Sequence, residues 1–304
     1  VESGSSGLIA NFKSQISNFK SQISNLFRVA CCLLPFAFAQ AQQGLGTSVL
    51  SESKVWFTLQ DGMLSQVNYP NLKTNNLTSL YFVVTDGKTF AVSERDADVI
   101  KQFANTNPRA LSFQQINIHT QRKFTLTKRY CAYPDYSTVL IDVELRAPTN
   151  YKLYVVFDPA LANTEANDTA AAFGGQGAFS VYEGDVCAAL IADKGFTEMS
   201  VEAVGANDGL QRLLRHFKLT KPSPRADQSN VLCVARIRQP KHFLLALSFA
   251  DTPEKALIEA EHCLEADFAD TLADYEKGWS DWLKTNADSQ PFLPLMLRKA
   301  REEK

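Results

Sequence analysis

Residues Val55–Pro70 read VWFTLQDGMLSQVNYP, two extended runs joined by Asp61-Gly62. Asp-Gly supplies the positive φ angles that a tight two-residue turn requires, so the runs are predicted to pair as an antiparallel hairpin. Val55, Phe57 and Leu59 alternate with Trp56, Thr58 and Gln60 before the turn. Met63, Val67 and Tyr69 alternate with Leu64, Gln66 and Asn68 after it. Pro70 has no N–H to give a ladder and ends the second strand.

The same grammar runs on for two hundred residues. Leu80–Thr85, Asp86-Gly87 and Lys88–Val92 read as a second hairpin with the same turn chemistry. Lys123–Tyr130, Ser137–Leu145 and Tyr151–Phe157 alternate at period two, the last stopping at Asp158-Pro159. Val186–Ala192, Leu213–Thr220, Val231–Ile237 and Phe243–Phe249 bring the total to at least ten strands, with Gly, Asp, Asn and Pro between them. The fold class is therefore mainly β, a large antiparallel β-sandwich. So many strands exceed an immunoglobulin-type sandwich, and a double-layered super-sandwich is expected over residues 45–250.

At Asp251-Thr252-Pro253 the period becomes helical. Thr252 suits an N-cap, and Pro253 suits the first helical position, where a missing N–H goes unneeded. Leu264, Phe268, Leu272, Tyr275, Trp279 and Trp282 form one apolar stripe at helical spacing, so a helical linker is expected over 251–285. Residues 286–291 read as a linker, and 292–304 as the start of another helix.

The first 41 residues read differently. NFKSQIS occurs twice in tandem, at Asn11–Ser17 and Asn18–Ser24. Two heptads are too few for a coiled coil, and residues 1–25 read as an unstructured duplication or as translated repetitive DNA upstream of the true start. Residues 26–41 then carry Arg28, the apolar run Val29–Ala39 and the A-x-A site Ala37-Phe38-Ala39, the layout of a secretory signal peptide. A buried strand is the alternative for that run. Export by a bacterium is the localisation this implies.

Charge and cysteine usage narrow the partners. A net charge of −2 with no polybasic block argues against nucleic acid. No apolar run reaches the ~20 residues of a membrane span, so no membrane is expected after signal cleavage. Cys31 and Cys32 fall in the leader; Cys131, Cys187, Cys233 and Cys263 are widely spaced among apolar neighbours. They read as two disulfides or, more simply, as buried thiols. No Cys/His cluster has metal-ligand spacing, and neither a metal nor another cofactor is expected.

An ordered set of segments resembles the amino-terminal domain of bacterial glucoamylases and glucodextranases, glycoside hydrolase family 15. Gly46-Thr47-Ser48 precedes the first hairpin as in that family. Tyr81–Thr85 with Asp86-Gly87, Ser93-Glu94-Arg95-Asp96, and the strand pair Arg129–Val143 with Pro134-Asp135 follow in order. So do Tyr151–Asn163, the Asn207-Asp208-Gly209 turn, Phe243–Ala256 and Tyr275-Glu276-Lys277-Gly278-Trp279. Leu295–Lys304 is similar to the first helix of the family's (α/α)6 barrel. The resemblance implies an accessory domain of an inverting α-glucan hydrolase, cut off at the threshold of its barrel. Its partners would be that barrel and the α-glucan substrate of the whole enzyme.

The resemblance also implies that both catalytic glutamates lie on barrel loops beyond residue 304, so no catalytic residue is assigned. Glu94 and Asp96 around Arg95, and Glu183 and Asp185 around Gly184, read as turn formers and surface ion pairs. His119, His216, His242 and His262 are isolated. Gly174-Gly175-Gln176-Gly177 lacks the Lys-Ser/Thr of a phosphate loop and reads as a flexible loop. Aromatic faces stack on pyranose rings, which makes Trp56, Tyr69, Tyr130, Tyr133 and Tyr136 possible carbohydrate contacts, with Trp56, Tyr133 and Tyr136 the candidates carried forward; strand aromatics such as Trp56 and Tyr69 are more often core residues, while Tyr133 and Tyr136 flank the Pro134-Asp135 turn. Tyr275, Trp279 and Trp282 are the domain-interface candidates, joining sandwich to barrel. The alternatives are an autonomous carbohydrate-binding module, a purely structural or adhesion sandwich, and the sandwich of a related trehalase or glycoside phosphorylase.

Overall fold

The structure is a computed structural model that describes residues 43–285. The readings made for 1–25, 26–41, 286–291 and 292–304 lie outside the described residues. In chain order the strands are β1 (Gln43–Thr47), β2 (Trp56–Gln60), β3 (Met63–Asn68), β4 (Leu77–Thr85), β5 (Ala91–Ser93) and β6 (Ile100–Asn105). Next come β7 (Phe113–His119), β8 (Phe124–Ala132), β9 (Thr138–Arg146), β10 (Lys152–Pro159), β11 (Asp168–Phe173) and β12 (Ala178–Glu183). The last are β13 (Val186–Ala192), β14 (Phe196–Ala203), β15 (Arg225–Ser229), β16 (Val231–Ile237) and β17 (His242–Ala250). Three helices accompany them: α1 (Gly209–His216), α2 (Pro253–Glu265) and α3 (Phe268–Thr285).

These strands form two antiparallel sheets. One has eight strands in the order β1-β2-β3-β4-β10-β16-β14, with β5 also on β4. The other has nine, in the order β15-β11-β12-β13-β17-β9-β8-β7-β6. Their inner faces meet in one core. Phe57 stacks on Tyr130 at 6.3 Å, and Phe82 meets Phe243 edge-to-face at 6.1 Å, each pair bridging the sheets.

The outer faces explain why period two fails in the middle of each sheet. Tyr81, Val83, Tyr154, Val156 and Val234 form a second apolar cluster with Leu213 and Leu219 in and beside α1. On the opposite sheet α2 buries Ala256, Ala260 and Cys263 against the main core. Strands covered on both faces become continuous apolar runs, as in β4 and β10.

The opening hairpin forms as expected, with φ of 51° at Asp61 and 77° at Gly62. Its second strand departs from simple alternation. A bulge pairs Thr58 with Gln66 but Leu59 with Leu64, and Ser65 Oγ donates to the Thr58 carbonyl at 3.1 Å. The extra residue shifts the phase, so Leu64 and Val67 are both buried while Met63 is half-exposed.

Three further expectations are corrected. Asp86-Gly87 is not a two-residue turn; only Gly87 has positive φ, and β5 starts at Ala91. The Asp86 carboxylate accepts from the amides of Lys88 and Thr89 and organises a longer loop. Leu213–Thr220 is no strand: α1 occupies its first half, capped by Asp208, which accepts from the Gln211 amide at 2.8 Å. The single stripe from Leu264 to Trp282 breaks at Ala266-Asp267. Asp267 caps a second helix by accepting from the amides of Ala269 and Asp270.

Candidate functional site

The aromatic residues of α3 point at the sandwich. The Tyr275 hydroxyl donates to the carbonyls of Thr47, at 2.8 Å, and Leu111, at 3.1 Å. Trp279 Nε1 donates to the same Thr47 carbonyl at 3.2 Å. Both side chains are only 2% exposed. Glu276 extends the clamp, accepting from Ser112 Oγ at 2.7 Å and Asn107 Nδ2 at 2.9 Å. Gly278 lets the helix approach, since a Cβ there would lie 3.0 Å from Val49 Cγ1. Tyr275 and Trp279 are thus committed to the sandwich's own first strand. Trp282, edge-to-face with Trp279 at 6.2 Å, is the half-buried member of the three.

The proposed sugar contacts separate into two kinds. Trp56 is 0% exposed, so neither ring face is open to a pyranose; Tyr130 is buried as well, with its hydroxyl donating to Gln115 Oε1 at 2.8 Å. Tyr69 stacks on Phe249. Tyr133 and Tyr136 behave differently. They flank the turn between β8 and β9, stack on each other at 5.8 Å, and remain half-exposed. Tyr136 also rests edge-to-face on His262 of α2, at 5.3 Å. Burial first, then the neighbouring Cys263, pushes the Tyr133 hydroxyl above its usual pKa.

Sequence reading missed a buried polar network that fixes the opening hairpin. Glu94, expected on the surface, forms an ion pair with Lys128 at 2.6 Å, each side chain 1% exposed. Glu94 also accepts from the Phe82 amide at 2.8 Å and from Asn117 Nδ2. Lys128 and Asn117 both donate to the Gly62 carbonyl, and Gln115 Nε2 donates to the Met63 carbonyl at 3.2 Å. The hairpin tip is therefore gripped by β7 and β8 of the opposite sheet. Burial lowers the Lys128 pKa, and the charge of Glu94 opposes that shift.

A second carboxyl group stands out at the start of β11. Asp168 is 0% exposed, and neither of its oxygens has a hydrogen-bond partner in bonding geometry. Burial raises its pKa to about 7; the Leu161 amide opposes the rise, while Glu183 and Asp158 add to it. Glu183 is itself held by Thr164 Oγ1 at 2.7 Å. Asp158 is also pushed up to about 7, by burial and then by Glu165.

The remaining candidates have ordinary partners. His119 contacts Asp98 at 3.0 Å, and His242 contacts Asp142, which Arg129 also holds at 2.7 Å. Among the described residues, no group of three or more His, Cys, Asp or Glu side chains could hold a metal ion. Cys131, Cys187, Cys233 and Cys263 are free and buried. Among the described residues, no helix is long and apolar enough to cross a membrane.

Two antiparallel sheets packed as one sandwich, with a helix clamped onto the first described strand, define the class: a large antiparallel β domain. The profile of glucodextranase domain N matches residues 35–284, and the chain belongs to that family. A glucoamylase of Clostridium sp. (strain G0005) is 27% identical over 282 residues, covering 88% of this chain and 40% of the relative. The crystal structure of a bacterial glucoamylase complexed with acarbose superposes with a TM-score of 0.75 at 25% identity, over 81% of this chain and 37% of that one. A family GH92 inverting mannosidase from Bacteroides thetaiotaomicron shares the fold, with a TM-score of 0.53 at 11% identity, over 79% of this chain and 33% of that one. The chain spans about two fifths of the length of the glucoamylases it matches.

Proposed function

We propose that this chain is the non-catalytic amino-terminal domain of an exported, inverting α-glucan hydrolase of the glucoamylase or glucodextranase type. Its role is to support an (α/α)6 barrel that follows α3. The observation that carries this reading is the clamp of Tyr275, Glu276 and Trp279, which fixes the direction in which the chain leaves the sandwich. A helix held this firmly is a rigid spacer, and Trp282 on its last turns is the residue best placed to continue the contact into a following domain. Both acid and base of the hydrolysis then belong to the barrel.

Three measurements test the reading. The coding sequence beyond Lys304 should encode a helical barrel of about 350–400 residues, an estimate from typical domain sizes; its absence would sink the proposal. The 304-residue chain should release no glucose from maltooligosaccharides or starch, and glucose release would overturn the division of labour. Secretion tests the leader: the exported product should begin near residue 40.

A second reading, an autonomous carbohydrate-binding surface, is favoured by the half-exposed stack of Tyr133 and Tyr136. It predicts retention on an amylose column that Tyr136→Ala abolishes. Equal elution of wild type and variant with the void volume would dismiss it.

A further inference from the structure

At one end of the sandwich, residues of the β9–β10 loop and the β16–β17 loop line a cavity of about 470 Å³. Its size lies within the range of small-molecule sites, roughly 300–1,000 Å³. Lys152, Arg236, Arg238 and Lys241 all line it, and no carboxylate does. Arg236 has a counterion, Glu198 at 2.7 Å. Among the described residues the exposed side chains of Arg238 and Lys241 make no ion pair or hydrogen bond, while His242, on the same wall, is paired with Asp142 at 2.6 Å.

The backbone places Arg238. Gly195 adopts a φ of +71°, and its carbonyl accepts from the Arg238 amide at 3.1 Å. A Cβ at Gly195 would sit 3.6 Å from Arg238 Nε, so the guanidinium packs alongside this turn. Tyr151, edge-to-face on Phe90 at 5.1 Å, and Pro240 give the cavity apolar walls.

With Arg236 and Lys152 balanced by Glu198, the two remaining cations at the mouth, Arg238 and Lys241, are open to counter-charge from a ligand. A guanidinium fork matches the paired oxygens of a phosphate, and a lysine adds a point charge to the same group. Beside them, a tyrosine and a proline offer the apolar surface that a sugar ring covers. We propose that this cleft binds a phosphate monoester carried on a sugar, with Arg238 and Lys241 on the phosphate and Tyr151 beside the ring. The choice of a sugar ester rests on the glucan-hydrolase reading above; the anion chemistry rests on the cleft alone.

Calorimetric titration of the 304-residue chain with inorganic phosphate, glucose 6-phosphate and maltotriose tests this. Glucose 6-phosphate should bind at least tenfold more tightly than inorganic phosphate, maltotriose should not compete, and added salt should weaken binding. Arg238→Gln and Lys241→Gln, each on a surface loop, should each weaken glucose 6-phosphate at least tenfold with an unchanged melting temperature. Equal affinity for inorganic phosphate and the sugar ester overturns the sugar assignment. Absence of phosphate binding, or unchanged affinity in both variants, overturns the site. Glucose release plays no part in this readout, so its outcome is separable from that of the hydrolase reading.

Discussion

Replacing Asp168 by Asn should stabilise the domain at alkaline pH and leave it nearly unchanged in acid. Asp168 is buried with neither oxygen in a well-formed hydrogen bond, and its pKa rises from 3.8 to about 7 chiefly through burial; the nearby Leu161 amide opposes the rise, and Glu183 and Asp158 add to it. Between those two values the native state keeps a proton that the unfolded chain has released. Stability therefore falls as pH rises from about 4 to about 7, and levels off above that. At about 1.4 kcal/mol per pH unit, the full interval amounts to about 4 kcal/mol. Asparagine keeps the shape and presents N–H donors toward the Glu183 carboxylate at every pH. For a domain of this size about 4 kcal/mol corresponds to a melting-temperature gain of about 10 °C. Differential scanning calorimetry of wild type and Asp168→Asn at pH 4.5 and pH 8 measures it. Nearly equal melting at pH 4.5 with the variant higher at pH 8 is expected. A variant that melts lower than wild type at pH 8 would refute the argument, because Asp168 would then be ionised and usefully paired.

Two other perturbations probe the hairpin grip and the thiols. Glu94→Gln should destabilise the domain by about 3–5 kcal/mol in urea denaturation by leaving the Lys128 ammonium buried without a counter-charge, and Lys128→Met added to it should recover part of that loss. The four described cysteines should be unreactive toward a thiol reagent until denaturant is added, since burial pushes the Cys187 and Cys263 thiols up to about 11 and about 12; peptide mapping of the labelled residues reads this out.

What could be read in the sequence was what is decided locally. Asp61-Gly62 specifies its turn because backbone sterics at two residues suffice. Thr252-Pro253 specifies a helix start for the same reason, and Thr252 Oγ1 accepts from the Lys255 amide as expected. The stripe ending in Tyr275, Trp279 and Trp282 was legible as an apolar helix face, but its partner was not. That partner is the Thr47 carbonyl, more than two hundred residues earlier. Glu94 looked like a surface charge because its counterion, Lys128, reaches it only when two sheets are stacked. Residues 213–220 misled through their apolar Leu213 and Leu214; the cap at Asp208, three residues before Gln211, was the signal for a helix. The strands β1, β6, β7, β11, β12, β14 and β15 went unread. In β7 the burial alternates strictly, but the inward positions are the polar Gln115, Asn117 and His119 while Ile116 and Ile118 face outward, so hydrophobicity carries no period-two signal. The sugar-contact candidates divided on burial, which residue type alone does not reveal.

The double acceptance by the Thr47 carbonyl has a consequence for how the chain is made. Its donors, Tyr275 and Trp279, lie 228 and 232 residues downstream. At about 5–20 residues per second, a ribosome takes roughly 10–50 s to deliver them after β1 has emerged. Through that interval the first strand can pair with β2 but lacks the helix that locks its far side. Synthesis order thus makes α3 the latch of the domain, closing a sandwich whose first strand was among the earliest parts to leave the tunnel.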